Sequence, residues 1–227
     1  MSRLQAFALH LLISGLIFIA LFAVLWLWFF PGALFAAAGG WQGVKIIALV
    51  DMVLGPCLTL IVFNPRKPRG ELCRDLGIVG LVQLLALLGG LYAVQSVRPL
   101  LVVQVYDTLY VHNQESLQRL DMTAEQRQTL LGVLPRFYYV EVPREQGAFL
   151  QDHVKGLLSG ALPAQDDVTR YQAWPDEASV RQALLYAATE QAGCLRLDIE
   201  SAYASGSVCV DAQSLRLSDF VAEAPEH

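Results

Sequence analysis

Asp51-Met-Val-Leu-Gly55-Pro56-Cys57-Leu-Thr59-Leu60 puts a carboxylate and a Gly-Pro break inside a segment apolar enough to cross a bilayer. From about Val44 to Phe63 the chain is long enough, as a helix, to span the ~30 Å of a hydrocarbon core, with Asp51 roughly 10 Å below the nearer interface. An ionised Asp at that depth is costly unless it is paired, neutralised or turned into a helix bundle. Two readings follow: Asp51 is a functional group, or it is a protonated acid hydrogen-bonded to a neighbouring helix. Pro56 removes an N–H and frees the carbonyl of Met52 one turn back, so the spacing predicts a kink beside the acid.

The apolar character is confined to the first part of the chain. Of the 227 residues 55% are hydrophobic and 16% charged, too apolar a balance for a soluble domain of this size. Residues 1–97 hold six Lys/Arg and three Asp/Glu, and residues 98–227 hold ten and eighteen. The second part is therefore an acidic domain of net charge −8, large enough for its own core. Lacking clustered cations to neutralise phosphates, it excludes nucleic acid as a partner.

Three spans are expected, over about residues 7–30, 44–63 and 76–95. The first closes on Trp26-Leu-Trp28-Phe-Phe-Pro31, an aromatic belt at a membrane exit. A cleaved signal peptide ending near Ala36-Ala-Ala38 is the rival, but the apolar core of about 20 residues exceeds the usual 7 to 15. Pro31 to Gly43 reads as a short external connection. The second span exits into Asn64-Pro-Arg-Lys-Pro-Arg69-Gly-Glu-Leu-Cys-Arg74, whose basic residues place that loop and the amino terminus in the cytoplasm. In the third span, the four-residue spacings of Ala86 with Gly90 and of Gly89 with Ala93 permit close helix approach. Counting 1.5 Å per residue from the cytoplasmic ends sets Asp51 about 20 Å and Gln83 about 14 Å deep, which makes Gln83 the expected partner of Asp51. Thr59 and Ser14 are expected to satisfy backbone groups locally.

The fold class is thus a three-helix transmembrane segment, residues 1–97, followed by a small α+β extracytoplasmic domain, residues 98–227, in the periplasm. Within it, residues 100–106 and 108–112 read as two strands or one bulged strand, and residues 137–142 as another. Thr123-Ala-Glu-Gln126 is a capping box opening a helix that stops before Pro135. Helices are expected near residues 145–158 and 176–191, with alternating strands around Leu195–Ile199 and Val208–Val210 after a turn at Ser205-Gly206-Ser207. Residues from Val221 onward read as a frayed tail. Tyr138, Tyr139 and Trp174 suit a partner surface or a core.

Cys57 falls in the membrane and Cys73 in the reducing cytoplasm, whereas Cys194 and Cys209 share the oxidising side. A hairpin pairing 194 with 209 and Leu195 with Val208 predicts a disulfide stabilising by ~3 kcal/mol for a loop of about 15 residues. Signatures of catalysis are missing: no paired-cysteine motif, His-Glu-x-x-His, phosphate-binding glycine loop or Gly-x-Ser-x-Gly elbow is present. His112 and His153 are not clustered with cysteines, so each reads as a surface or core histidine rather than a metal ligand. No enzyme, cofactor or metal is expected.

The chain resembles the TfpX/TfpZ family of type IV pilin accessory proteins, including its FimB-like members. The residues that carry the resemblance are Met-Ser-Arg3-Leu-Gln-Ala6-Phe7 with His10, and Asp51-x-x-Leu54-Gly55-Pro56-x-Leu58-Thr59-Leu60. They continue in Arg74-Asp75-Leu76, Gln83-Leu84-x-Ala86-Leu87, Gly90-Leu91-Tyr92 and Arg98-Pro99, so the likeness covers residues 1 to about 106. Cys57 departs from the Leu-Leu-Thr-like run. The resemblance implies a bacterial inner-membrane protein that helps a type IV pilin reach the assembled pilus. Its partners would be the pilin subunit, inner-membrane lipids and other pilus assembly components. Pilins wait in the membrane on an apolar helix with a glutamate near its start, so Asp51, Gly55, Pro56, Thr59 and Gln83 are expected to touch the pilin or to order the three helices. A membrane-anchored periplasmic sensor or regulator is the alternative.

Overall fold

The computed structural model describes residues 2–223 apart from 192, 193, 212 and 215. The chain divides into two compact units, residues 1–26 with 40–96, and residues 27–39 with 97–227.

The first unit is built on three helices long and apolar enough to cross a membrane: α1 (Arg3–Phe29), α3 (Gly40–Val62) and α4 (Arg69–Val97). Each starts before the apolar run it contains. Ser2 caps α1 through a capping box, its hydroxyl accepting from the Gln5 N–H at 3.2 Å while its own N–H donates to Gln5 Oε1 at 2.7 Å. The first turns of α4 are polar, and Lys67 in the preceding loop pairs with Asp75 at 2.6 Å. Much of the helix surface is aliphatic and exposed, as at Leu16, Ile61 and Leu85, which suits contact with lipid rather than water. The proline of α3 is accommodated by a π-helical stretch, Leu49–Leu54, ending immediately before Gly55-Pro56. The Gly55 N–H reaches back to the Val50 carbonyl, a wider turn that relieves the ring's conflict with the preceding turn. Helices α3 and α4 meet through small residues. A Cβ on Gly43 would run into Val94, and one on Gly90 would touch Ile47 at 3.4 Å, whereas Gly89 faces open space. Only part of the small-residue pattern is therefore used for packing inside this unit.

The second unit is an eight-stranded mixed sheet with helices on it. The strands are β1 (Leu101–Val105), β2 (Thr108–His112), β3 (Arg136–Val140), β4 (Tyr171–Ala173), β5 (Thr189–Gln191), β6 (Cys194–Glu200), β7 (Ser205–Val210) and β8 (Leu217–Ala222), in the order β4-β3-β1-β2-β6-β7-β8 with β5 beside β6. β1 is central, antiparallel to β2 and parallel to β3. All five of its residues are buried instead of alternating; four are apolar, and the buried Gln104 amide donates to the carbonyls of Tyr106 at 3.1 Å and Leu184 at 2.9 Å. Leu101, Val103 and Val105 pack with Tyr138, Val140, Leu117, Leu120 and Leu130 in one core, fed by the crossover helices α5 (Gln114–Arg119) and α6 (Ala124–Leu130). The α6 capping box forms between Thr123 and Gln126 as its spacing requires. Tyr138 and Trp174 belong to the interior: the Tyr138 hydroxyl donates to the Leu130 carbonyl at 3.0 Å, and the Trp174 indole donates to the Tyr138 carbonyl at 2.9 Å.

Of the two readings of residues 100–112, the two-strand one holds: β1 and β2 form a hairpin whose two-residue turn, Tyr106-Asp107, holds Tyr106 at φ 57°. Other expectations are corrected. The helix expected to reach residue 191 stops as α8 (Ala178–Leu184), and Thr189–Gln191 pairs with β6 as an edge strand. The turn between β6 and β7 lies at Ser201–Ala204, where the Ser201 hydroxyl accepts from the N–H groups of Tyr203 and Ala204, both at 3.0 Å. Ser205, Gly206 and Ser207 are therefore in the strand. Val221 and Ala222 belong to β8, while residues 224–227 lie outside the described residues.

The connection after α1 is not a bare loop. It holds the short helix α2 (Leu34–Ala37), with Phe30, Leu34 and Ala37 fully buried. The Ala33 N–H donates to the Leu217 carbonyl at 2.8 Å, and the Ser201 hydroxyl donates to the Ala37 carbonyl at 2.5 Å. Gly32 and Gly39 have positive φ and sit against Leu217 and Tyr203, where a side chain would collide. Residues 27–39 are thus part of the sheet domain, although the sequence reading bounded that domain at residue 98.

Candidate partner-binding site

Asp51 lies on the π-helical stretch of α3 and is 5% exposed, with one carboxylate oxygen buried and no hydrogen-bond partner. Gln83 does not hydrogen-bond to it. The Gln83 amide lies instead against the Cα of Gly55, where any Cβ would overlap it, so Gly55 is the notch that admits the Gln83 side chain. The depth count that paired Asp51 with Gln83 treats α3 as a regular helix, and the wider turns of Leu49–Leu54 rotate Asp51 away from that line. Thr59, 3% exposed, is not spent on its own backbone, because its hydroxyl is 2.5 Å from His10 Nδ1. Ser14 is buried on the same helix as His10.

The expected residues therefore form one polar seam with a member that chain reading had not placed there. His10 on α1, Thr59 and Asp51 on α3, and Gln83 on α4 sit among aliphatic side chains, with Gly55 and Pro56 buried between them. His10 carries the only imidazole of the first span, at a level matching Thr59, and that was the available signal. Beside the seam a cleft of about 340 Å³ opens between the three helices, lined by Ala6, Leu9, His10, Thr59, Gly80 and Gln83.

The sheet domain carries two further features. At the carboxyl ends of the parallel strands β1 and β3 lies a cavity of about 350 Å³ bordered by Gln104, Tyr106, Tyr139, Arg144 and Tyr186. Tyr106 stacks on Phe149 at 4.8 Å, and the Arg144 guanidinium sits 5.3 Å from the centre of the Tyr186 ring. Helix α7 (Gln146–Leu158) turns Phe149 toward that cluster and leaves Leu150, Val154, Leu157 and Leu158 exposed along one stripe. Among the described residues no three potential metal ligands converge.

Cys194 and Cys209 are joined by a disulfide with Cα atoms 5.7 Å apart. The register differs by two residues from the expected one: Arg196 faces Cys209 and Leu195 faces Val210, while Cys194 is paired to Gln191 of β5. Cys209 is thus two residues removed from the position directly opposite Cys194, so the bridge is diagonal. A two-residue slip keeps every side chain on its face.

Comparison with known proteins gives two similarities. Over 103 residues, 45% of this chain, it is 28% identical to the fimbrial assembly protein of serogroup E1 from Dichelobacter nodosus, of which that stretch covers 40%. It is 27% identical over 103 residues to the fimbrial assembly protein of serogroups C1 and C2 from the same organism, covering 79% of that protein. The matched stretch thus spans well under two thirds of the serogroup E1 protein. No family model and no solved structure matches the chain.

Proposed function

We propose that this chain is an inner-membrane accessory protein of the TfpX/TfpZ kind, a chaperone-like and non-catalytic helper in type IV pilin stability and pilus assembly. The observation that carries the reading is the similarity to two fimbrial assembly proteins in a chain with three helices able to cross a membrane. The basic residues between α3 and α4, Arg66, Lys67, Arg69 and Arg74, favour a cytoplasmic loop and a cytoplasmic amino terminus. The sheet domain is then periplasmic, where its disulfide persists. That residues 27–39 pack within this domain is in keeping with the two spans, α3 and α4, that separate that connection from the rest of the domain.

In this reading the spans attend to the pilin's membrane helix and the domain meets the pilin head, with the exposed stripe of α7 as its apolar contact. The test is deletion of the gene followed by immunoblotting of pilin in sheared surface fibres and in cell-retained membranes. The expected result is loss from the surface, with pilin retained or degraded in the membrane and both restored by complementation. Unchanged amounts in both fractions would overturn the reading and favour a sensor.

A further inference from the structure

The cleft between α1, α3 and α4 exposes polar atoms where lipid could not satisfy them. His10 and Gln83 are both half-buried on its walls. Thr59 engages one imidazole nitrogen, but neither the other nitrogen nor the Gln83 amide has a protein partner among the described residues. Hydrocarbon chains offer no hydrogen bonds, so such groups are stable in a bilayer only when another polar group covers them. His10 lies seven residues into α1, about 10 Å along the helix, too deep for headgroups to serve without deforming the bilayer.

The shape narrows the occupant further. Gly80 lines the cleft with nothing within 4 Å of the place a Cβ would take, so a backbone can approach α4 there. Leu9 and Ile13 form an apolar wall opposite. When the Thr59 hydroxyl donates to Nδ1, the proton of His10 sits on Nε2 and can be donated, as can the N–H groups of Gln83.

We propose that this cleft seats a transmembrane helix of a partner that presents a side-chain carbonyl oxygen, from a carboxyl or a carboxamide, to His10 and Gln83. The identity of the partner as the pilin subunit rests on the reading above. Asp51 is buried on α3 and absent from the cleft lining, so it is not among the groups offered to the partner.

The test places the photo-cross-linker p-benzoylphenylalanine in the full chain, in pilus-producing cells. It replaces Ile13 or Gly80 in the cleft, or Ile78 or Leu85, which lie on the opposite side of α4. Adducts are detected with antibody to pilin. The expected result is a pilin adduct from Ile13 and Gly80, several-fold stronger than from Ile78 and Leu85. It falls several-fold in a Gln83→Leu background in which the protein accumulates normally. Equal adducts from all four positions, insensitivity to Gln83→Leu, or an adduct of two copies of this chain would overturn the proposal. A pilin adduct found only from a fifth probe at Leu158 would sink the cleft and leave the pilin reading standing. Unchanged pilin fractions after gene deletion would sink that reading itself.

Discussion

At the scale of single residues, Asp51 and His112 are both buried acid–base groups, but one lies in a span and the other in a sheet core. Asp51 keeps a buried carboxylate oxygen unpaired inside the helix bundle, so shape and polarity at this position can be varied separately. Asp51→Asn, which keeps shape and hydrogen-bonding capacity, is expected to accumulate and to support pilus assembly. Asp51→Leu removes the polar atoms that this position buries between the helices and is expected to lower the amount of protein in membranes, read by immunoblot. If the Asn variant accumulates but loses assembly, the carboxylate acts on the partner directly. His112 is 6% exposed, and burial holds its imidazole below the ordinary pKa of 6.5. The unfolded chain takes up a proton as pH falls through about 6.5 that the folded domain resists, so the stability tied to this residue is full above that pH and is lost below it. Thermal unfolding followed by circular dichroism is expected to show a lower midpoint at about pH 5 than at about pH 7.5, with a smaller difference in His112→Gln. Equal pH dependence in the two proteins would mean that His112 is not the group responsible.

Elements add what single residues leave open, namely which side chains a helix or strand brings together. Gly55→Ala puts a methyl group where the Gln83 amide lies and must displace it, an overpacking that typically costs ~1–3 kcal/mol. The expected consequence is weaker assembly together with a lower midpoint for denaturation of the helical unit in detergent. Gly89→Ala, facing open space, should leave both unchanged. In the sheet, the Cys194–Cys209 bridge closes a separation of 15 residues and stabilises by about 3 kcal/mol on loop-closure entropy. Maleimide labelling of the denatured chain should mark Cys57 and Cys73 without reductant and all four cysteines after reduction. Four labelled cysteines before reduction would refute the bridge. These elements also show what could be read from the chain alone. The spans, the Thr123 cap and the Leu195–Ile199 alternation were legible because each is a local pattern. Strands β4, β5 and β8 were not, since three- to six-residue edge segments such as Thr189–Gln191 become strands only through a neighbour's hydrogen bonds. The Gln83–Asp51 pairing failed because a depth count carries no information about the π-helical turns that Pro56 brings with it.

For the whole molecule, the decisive feature is that the connection between the first two spans is built into the domain that follows the third. Phe30 and Leu34 are fully buried, and the backbone of Ala33 and the carbonyl of Ala37 bond to Leu217 and Ser201. The connection after α1, residues 30–39, must therefore lie on the same side of the membrane as the sheet, whichever side that is. In the proposed reading, the charge bias at Arg66–Arg74 argues for the side independently of the packing. The two inferences can be tested together. In a chain lacking Cys57 and Cys73, single cysteines are placed at Ala36, Ser159 and Arg69, and intact cells are treated with a maleimide that does not cross the inner membrane. Ala36→Cys and Ser159→Cys are expected to label in intact cells, and Arg69→Cys only after permeabilisation. If Ala36 and Ser159 label from opposite sides, the packing of residues 27–39 against the sheet is wrong. If they label together but only after permeabilisation, that packing stands and the orientation is inverted. A periplasmic contact with the pilin head would then be impossible, and the basic loop would have to owe its charge to something other than topology.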